Sequence, residues 1–324
     1  MLPKITIITP SYNQGQFIED TILSVINQNY PNFEYIIIDG GSTDNTVDII
    51  KKYESSITYW VSEKDLGQSN AINKGLKLAT GDIINWINSD DILIEGALAK
   101  VASYFNKNPN SIIVHGRIEY FGDSSSFSTN LPLKNIKTRY LAHICMAQPA
   151  TFFKKKLIDE HGFIDESLHF SMDTDLYVRA ALNYDLTQVN DVFAKFRLHK
   201  SSKSISDFNK KFLTDNAIVF SRVAETLNSE FLINELKKLS LYTKADNLYN
   251  IKSNRFNDRI LLFYFLQHRL LTLFNTNDKR NFMKLFTYLL TNFTFKTLMS
   301  TKVMIYRIVF SLPQNLHRKL NAVK

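Results

Sequence analysis

Short runs of β-branched residues alternate with segments of helical period through the first 120 residues. Ile5–Thr9, Tyr35–Asp39, Thr58–Val61, Ile83–Ile87 and Ile112–His115 predict strands, because nearly continuous apolar runs suit a sheet covered on both faces. Between them Gln16–Gln28, Asp44–Tyr53, Gln68–Ala79 and Ile94–Phe105 predict helices. Ile72, Leu76 and Ala79 share one face of the third, and Ser42 or Thr43 followed by Asp44 opens the second. Such alternation predicts βαβ units feeding a mostly parallel sheet flanked by helices. The strands run into the polar loops Thr9-Pro10-Ser11-Tyr12-Asn13, Asp39-Gly40-Gly41-Ser42-Thr43-Asp44, Glu63-Lys64-Asp65-Leu66-Gly67-Gln68 and Asn88-Ser89-Asp90-Asp91. Ligands of open α/β sheets bind at that carboxyl edge, so the four loops are expected to meet in one crevice.

From Ser124 to Arg139 the pattern weakens into Ser124-Ser125-Ser126 and Pro132, which reads as a surface excursion. A second polar block follows. It comprises Gln148-Pro149-Ala150-Thr151-Phe152-Phe153, a helix opening near Asp173-Thr174-Asp175-Leu176, and a strand running to Phe196-Arg197-Leu198-His199. Beyond Asp207 the β signals stop. Phe208, Phe212, Val219, Val223 and Leu227 keep helical spacing, and helical segments continue to about Ser311, before Pro313. The expected division is an α/β domain over residues 1–207 and a helical extension over 208–324.

The 324 residues, 44% hydrophobic and 22% charged, exclude a disordered chain. The single cysteine, Cys145, excludes an internal disulfide and a cysteine metal cluster; it predicts a reducing, cytoplasmic setting and a small buried side chain. The apolar start is short and broken by Pro10, and charges interrupt every long apolar stretch, so neither a signal segment nor a membrane span is expected. The net charge of +8 is unevenly placed: residues 1–207 carry −4 and residues 208–324 carry +12. Within 255–324 twelve Lys and Arg stand against two acids, interleaved with phenylalanines. That mixture suits either an ordinary helical subdomain or peripheral docking on an anionic membrane surface, such as the inner face of a cytoplasmic membrane. Nucleic acid is the less fitting polyanion.

The loops carry the candidate chemistry. Asn88-Ser89-Asp90-Asp91 offers oxygen donors suited to Mg²⁺ or Mn²⁺, or equally a helix cap. Asp39 before Gly40-Gly41 can accept hydrogen bonds from a base or ribose, or simply organise a turn. Neither a G-x-G-x-x-G nor a P-loop fingerprint is present, so phosphate would be neutralised by metal and side chains.

Taken together with the segment Gly67-Gln68-Ser69-Asn70-Ala71-Ile72-Asn73-Lys74-Gly75, these loops resemble the family 2 glycosyltransferases over roughly residues 3–200. The resemblance implies a GT-A fold, Rossmann-like, and inverting transfer from a nucleotide-sugar donor, with a UDP-sugar the first expectation. It implies that Asp39 meets the base, that Pro10, Ser11 and Tyr12 line the base and ribose pocket, and that Asp65, Gln68 and Asn73 lie nearby. Asn88-Ser89-Asp90 occupies the family's Asp-x-Asp position with an amide in first place, leaving Asp90 as the metal ligand; Asn88 and Ser89 fall to the nucleotide and Asp91 to the diphosphate or acceptor. Met172-Asp173-Thr174-Asp175-Leu176 is similar to the family's Glu-Asp-x-Asp-Leu helix start, Met172 replacing the acid, so Asp173 is the expected base and Asp175 orders the helix. Arg197-Leu198-His199 with Ser202 matches a segment that closes over the diphosphate, with His199 a possible second ligand, and Gln148 matches an acceptor-side position. The acceptor expected is a sugar hydroxyl on a surface polysaccharide or lipid-linked glycan. Two other readings stand beside this one: a sugar-phosphate nucleotidyltransferase, whose basic first loop is missing from Thr9–Gln16, and a non-catalytic nucleic-acid-binding scaffold using the basic tail.

Overall fold

The computed structural model describes residues 2–123, 128–129, 136–143, 146–199, 208–251 and 256–294. In chain order the elements are β1 (Ile5–Ser11), α1 (Ile18–Ile26), β2 (Phe33–Asp39), α2 (Thr46–Lys52), β3 (Tyr59–Ser62), α3 (Gln68–Leu78), β4 (Ile83–Trp86), β5 (Ile92–Leu93), α4 (Ala97–Lys107) and β6 (Ser111–Gly122). There follow β7 (Ser128–Thr129), α5 (Ile136–Ala142), β8 (Thr151–Lys154), α6 (Lys156–His161), α7 (Met172–Asn183), β9 (Asp185–Leu198), α8 (Phe208–Thr226), α9 (Glu230–Lys238), α10 (Asp258–Asn275) and α11 (Lys279–Asn292). Cys145 and Ser202 lie outside the described residues.

The strands form one sheet in the order β3-β2-β1-β4-β8-β6-β9-β5, with β7 beside β6. Strands β3, β2, β1 and β4 are parallel, and the register sets Ser11, Asp39 and Ser62 side by side at their carboxyl ends. The order reverses at β1, the switch point where such sheets hold ligands. Strand β8 is antiparallel to both β4 and β6, while β9 lies parallel to β6. This is the mostly parallel, helix-flanked sheet expected from the pattern. Strand β1 is buried along its whole length, as a central strand with helices on both faces must be. Helix α3 approaches it closely: a Cβ at Gly75 would stand 2.5 Å from Ile8 Cγ2, so only glycine fits.

Three elements depart from the expected strings. Helix α4 begins at Ala97 instead of Ile94, because Ile92 and Leu93 form β5 against Lys195 and Ala194 of β9 and Ile94 N still donates to Phe193 O. Strand β6 continues past His115 to Gly122, kinked by irregular register at Gly116–Ile118. Helix α5 occupies part of the expected surface excursion.

The chain divides into two compact units, residues 1–255 and 256–324. Helices α8 and α9, assigned by composition to the extension beyond Asp207, thus count with the first unit. Arg222 of α8 reaches Asp165 at 2.7 Å and Asp175 of α7 at 3.1 Å, a tie that composition does not reveal. In the second unit α10 and α11 bury Leu262, Phe265, Leu266, Phe282, Phe286 and Leu289. Asn257 and Asp278 cap their starts through Ile260 N and Asn281 N. No helix among the described residues is long and apolar enough to cross a membrane.

Candidate active site

A cavity of about 870 Å³ opens at the carboxyl edge of the parallel strands. Its wall takes Pro10, Ser11 and Tyr12 from the end of β1, Asp65 and Gln68 from the start of α3, and Asn88, Ser89 and Asp90 after β4. Gln148, Asp173 and His199 come from further along the chain. Sequence positions 10 to 199 therefore converge on one space, as the loop chemistry required.

Glycine makes the first corner possible. A Cβ on Gly40 would sit 2.7 Å from Asp65 Oδ2, so the bare backbone lets Asp65 reach the wall. The Asp65 carboxylate accepts from Gly67 N at 2.8 Å, and Gly67, with φ +110°, turns the chain into α3. Gln68 then donates Nε2 to Asn88 Oδ1 at 2.8 Å. The Asn88 amide nitrogen faces Gln148 Oε1 and Asp91 Oδ2 at 3.4 and 3.5 Å. A carboxylate at position 88 would oppose two oxygens there, a physical reason for asparagine at this place. Asp90 Oδ2 stands 3.0 Å from His199 Nε2. Asp173 opens α7, one carboxylate oxygen accepting from Thr174 N at 2.7 Å. Met172 is buried against α3, its sulfur 3.1 Å from Ser69 Oγ, an apolar anchor where an acid was expected.

Four of the expected site residues stand behind this wall. Asp39 is fully buried, and its carboxylate accepts from Gly41 N, Ser42 N, Ser42 Oγ and Ser62 Oγ. Those bonds fill its roughly four lone-pair positions, so a base reaches it only by displacing a serine hydroxyl. Asn73 pairs both ways with the backbone of Ile164, at 2.9 and 3.0 Å, and donates to Glu166. Asp91 accepts from Arg197 N at 3.0 Å, and burial, with the neighbouring Asp90 charge, pushes its carboxyl well above the usual range. Arg197 donates to Asp90 O at 2.9 Å, pairs with Asp20 at 2.7 Å and lies over the Phe17 and Phe121 rings. It braces the Asp90 turn from behind.

The wall also holds Trp86, and residues that no local signal singled out: Gln14, Lys64 and a group of apolar side chains from β6, β9 and α8. Ser11 Oγ, Gln14 Oε1 and Trp86 Nε1 are buried beside this wall without a protein partner.

Asp90 and His199 contribute one carboxylate and one imidazole, and among the described residues no cluster of three His, Cys, Asp or Glu forms. Two protein donors fit Mg²⁺ or Mn²⁺ that takes its remaining oxygens from a diphosphate and water.

The fold is the GT-A fold of solved glycosyltransferase structures. Residues 6–163 match the sequence model described as Glycosyl transferase family 2, just under half of the chain. The poly(ribitol-phosphate) beta-N-acetylglucosaminyltransferase TarP of Staphylococcus aureus is 28% identical over 263 residues, 79% of this chain and 64% of TarP. S. aureus TarS 1–349 in complex with UDP-GlcNAc superposes with a TM-score of 0.54 at 17% identity, over 87% of this chain and 90% of that one. The mannosyltransferase PcManGT of Pyrobaculum calidifontis, in complex with GDP-Man and Mn²⁺, gives 0.57 at 17% identity, over 95% and 83%. At that identity the two structures establish the fold. The chain spans about one third to two thirds of the length of the first curated relatives it matches.

Proposed function

We propose that the protein transfers a sugar, with inversion, from a nucleotide-sugar donor to a sugar hydroxyl of a surface polysaccharide or lipid-linked glycan. The observation that carries this reading is the single cavity wall that Asp65, Gln68, Asn88 and Asp90 share with Gln148 and Asp173. The first group suits a nucleoside diphosphate. Tyr12, exposed at the mouth, offers a ring for a base, and Ser11 and Asp65 offer partners for base and ribose. The second group suits an acceptor, with Asp173 taking the proton from the attacking hydroxyl as the sugar bond forms and the nucleoside diphosphate leaves. Asp90 and His199 would hold a divalent ion, which supplies positive charge against the leaving diphosphate. A UDP-sugar is the donor we test first, supported by the UDP-GlcNAc in the TarS complex. The poly(ribitol-phosphate) in the name of TarP supports a polymer as acceptor. We place the activity in the cytoplasm.

The test is thermal stability against UDP, GDP and dTDP with Mn²⁺, Mg²⁺ or EDTA, since preferential binding to the native state raises Tm by mass action. One nucleotide is expected to raise Tm, and more so with metal. Asp90→Ala is expected to lose the metal-dependent part of that shift and keep the rest. An unchanged metal response would remove Asp90 from the site.

The basic segment 255–324 we assign to peripheral contact with an anionic membrane. Its described part supports this: Lys279, Arg280 and Lys284 share the exposed side of α11 with Met283 and Leu290, while Phe282, Leu285, Phe286 and Leu289 face inward. The full chain is expected to sediment with phosphatidylglycerol-containing vesicles and not with phosphatidylcholine alone. Arg280→Glu with Lys284→Glu is expected to weaken that binding; equal sedimentation of variant and parent would refute the assignment to α11.

A further inference from the structure

The chain enters α7 through the turn of residues 162–171, which follows α6 and is held from two helices. His169 and Phe170 of this turn line the cavity together with Met172 and Asp173. From α3, Asn73 holds the backbone of Ile164, and Asn70 and Asn73 donate to the Glu166 carboxylate at 3.0 and 2.8 Å. From α8, one oxygen of the buried Asp215 carboxylate accepts from both His169 N, at 2.9 Å, and Phe170 N, at 2.7 Å. Seven residues on, Arg222 meets Asp165 early in the turn and Asp175 in the first turn of α7. Seven residues are close to two helical turns, so Asp215 and Arg222 share one side of α8. Asp173 thus stands between two anchored points, three residues after Phe170 and two before Asp175. Asp215 lies beyond the residues that the family model matches, and neither donor binding nor proton transfer uses it.

We propose that Asp215 is a positioning residue of the transfer step: by holding the amides of His169 and Phe170, it sets where the Asp173 carboxylate stands in the cavity. The inference rests on Asp173 as the base. A carboxylate is a strong acceptor for a pair of neighbouring N–H groups. His169 is exposed, so without Asp215 water takes these two amides and the turn is no longer tied to α8 at this point. The turn is part of the cavity wall and runs directly into α7, so its displacement is passed on to Asp173. A misplacement of about 1 Å at a reacting group costs on the order of 100-fold in rate. Nucleotide binding does not share this dependence, because Asp65 is held by Gly67 N and Gln68 by Asn88.

The test follows release of nucleoside diphosphate by the full chain from UDP-GlcNAc, UDP-glucose and GDP-mannose, with water as the acceptor. That reaction needs a proton acceptor but no natural glycan. Asp215→Ala is expected to lower kcat about 100-fold while the donor KM and the nucleotide-induced Tm shift are kept. Asp215→Asn, which keeps an oxygen acceptor on a side chain of the same shape, is expected to regain about tenfold of that loss. In an Asp173→Asn background, Asp215→Ala is expected to change kcat by less than about twofold, because both residues act on one proton transfer. A residue that only stabilised the fold would lower Tm with kcat unchanged, or would add its full factor in that background; either result overturns the proposal. Hydrogen exchange supplies a second reading, which decides the matter should none of the three donors be turned over. The amides of residues 169–173 are expected to exchange faster in Asp215→Ala, while those of β1 and β2 do not. Equal exchange of residues 169–173 in variant and parent also overturns the proposal. Failure of the base reading shows itself differently, as an Asp173→Asn protein that releases nucleotide at the parent's rate.

Discussion

Asp173→Asn is expected to lower kcat by about 100- to 10,000-fold, the usual contribution of a positioned general base. The amide keeps the shape of the side chain and its hydrogen bond to Thr174 N, yet it cannot take the proton of an attacking hydroxyl. Nucleotide binding should survive, because the substitution leaves Asp65 on Gly67 N and Gln68 on Asn88 in place. The decisive measurement pairs initial transfer rates with the nucleotide-induced Tm shift. Lost transfer with a retained shift isolates the proton step. Full transfer by the variant would withdraw Asp173 as the base.

Asp175→Ala should destabilise the first unit by about 3–5 kcal/mol, the range for breaking a buried ion pair from one side. Asp175, Arg179 and Arg222 are almost entirely buried: Arg179 Nη2 lies 3.0 Å from the carboxylate, Arg222 Nη1 3.1 Å, and the half-buried Tyr249 Oη 2.6 Å. Burial and the Asp175 charge push the Tyr249 phenol well above its ordinary pKa, so it remains a donor to the carboxylate. Without Asp175, Arg179 keeps two backbone carbonyls, His161 O and Gly162 O, while Arg222 keeps Asp165. Two guanidinium groups would then share a buried space with one carboxylate fewer. Urea unfolding measures the loss, expected with a Tm lowered by roughly 10 °C. A variant within 1 kcal/mol of the parent would show that solvent reaches this cluster.

The neighbouring pairs Asp90–Asp91 and Asp173–Asp175 show where reading the chain succeeds and where it stops. Both were legible as carboxylates at the ends of elements beside a crevice. The family resemblance singled out Asp90 and Asp173 and left Asp175 to order the helix, but it also put Asp91 at the diphosphate or acceptor. The local pattern alone does not say what captures the other member of each pair. The backbone N–H of Arg197 captures Asp91, and the arginines of α7 and α8 capture Asp175. Asp90 and Asp173 are left on the cavity wall. Asn73 and Arg197 were placed at the ligand by motif, yet their tertiary partners make them supports for the loop at Ile164 and for the Asp90 turn.

What the sequence by itself determined is the alternation of strands and helices, the parallel sheet they build and the crevice at its carboxyl edge. These follow from hydrophobic periods of two and 3.6 residues and from turn and cap chemistry, all of which act over a few positions. Only the tertiary structure decided the β5–β9 pairing, the assignment of α8 to the first unit and the apolar wall of Tyr120 and Phe196. Those depend on contacts between residues far apart in the chain, such as Ile92 with Lys195 and Tyr120 with Phe196. No local pattern encodes such a pairing. It is settled when the whole sheet closes and each face finds what covers it.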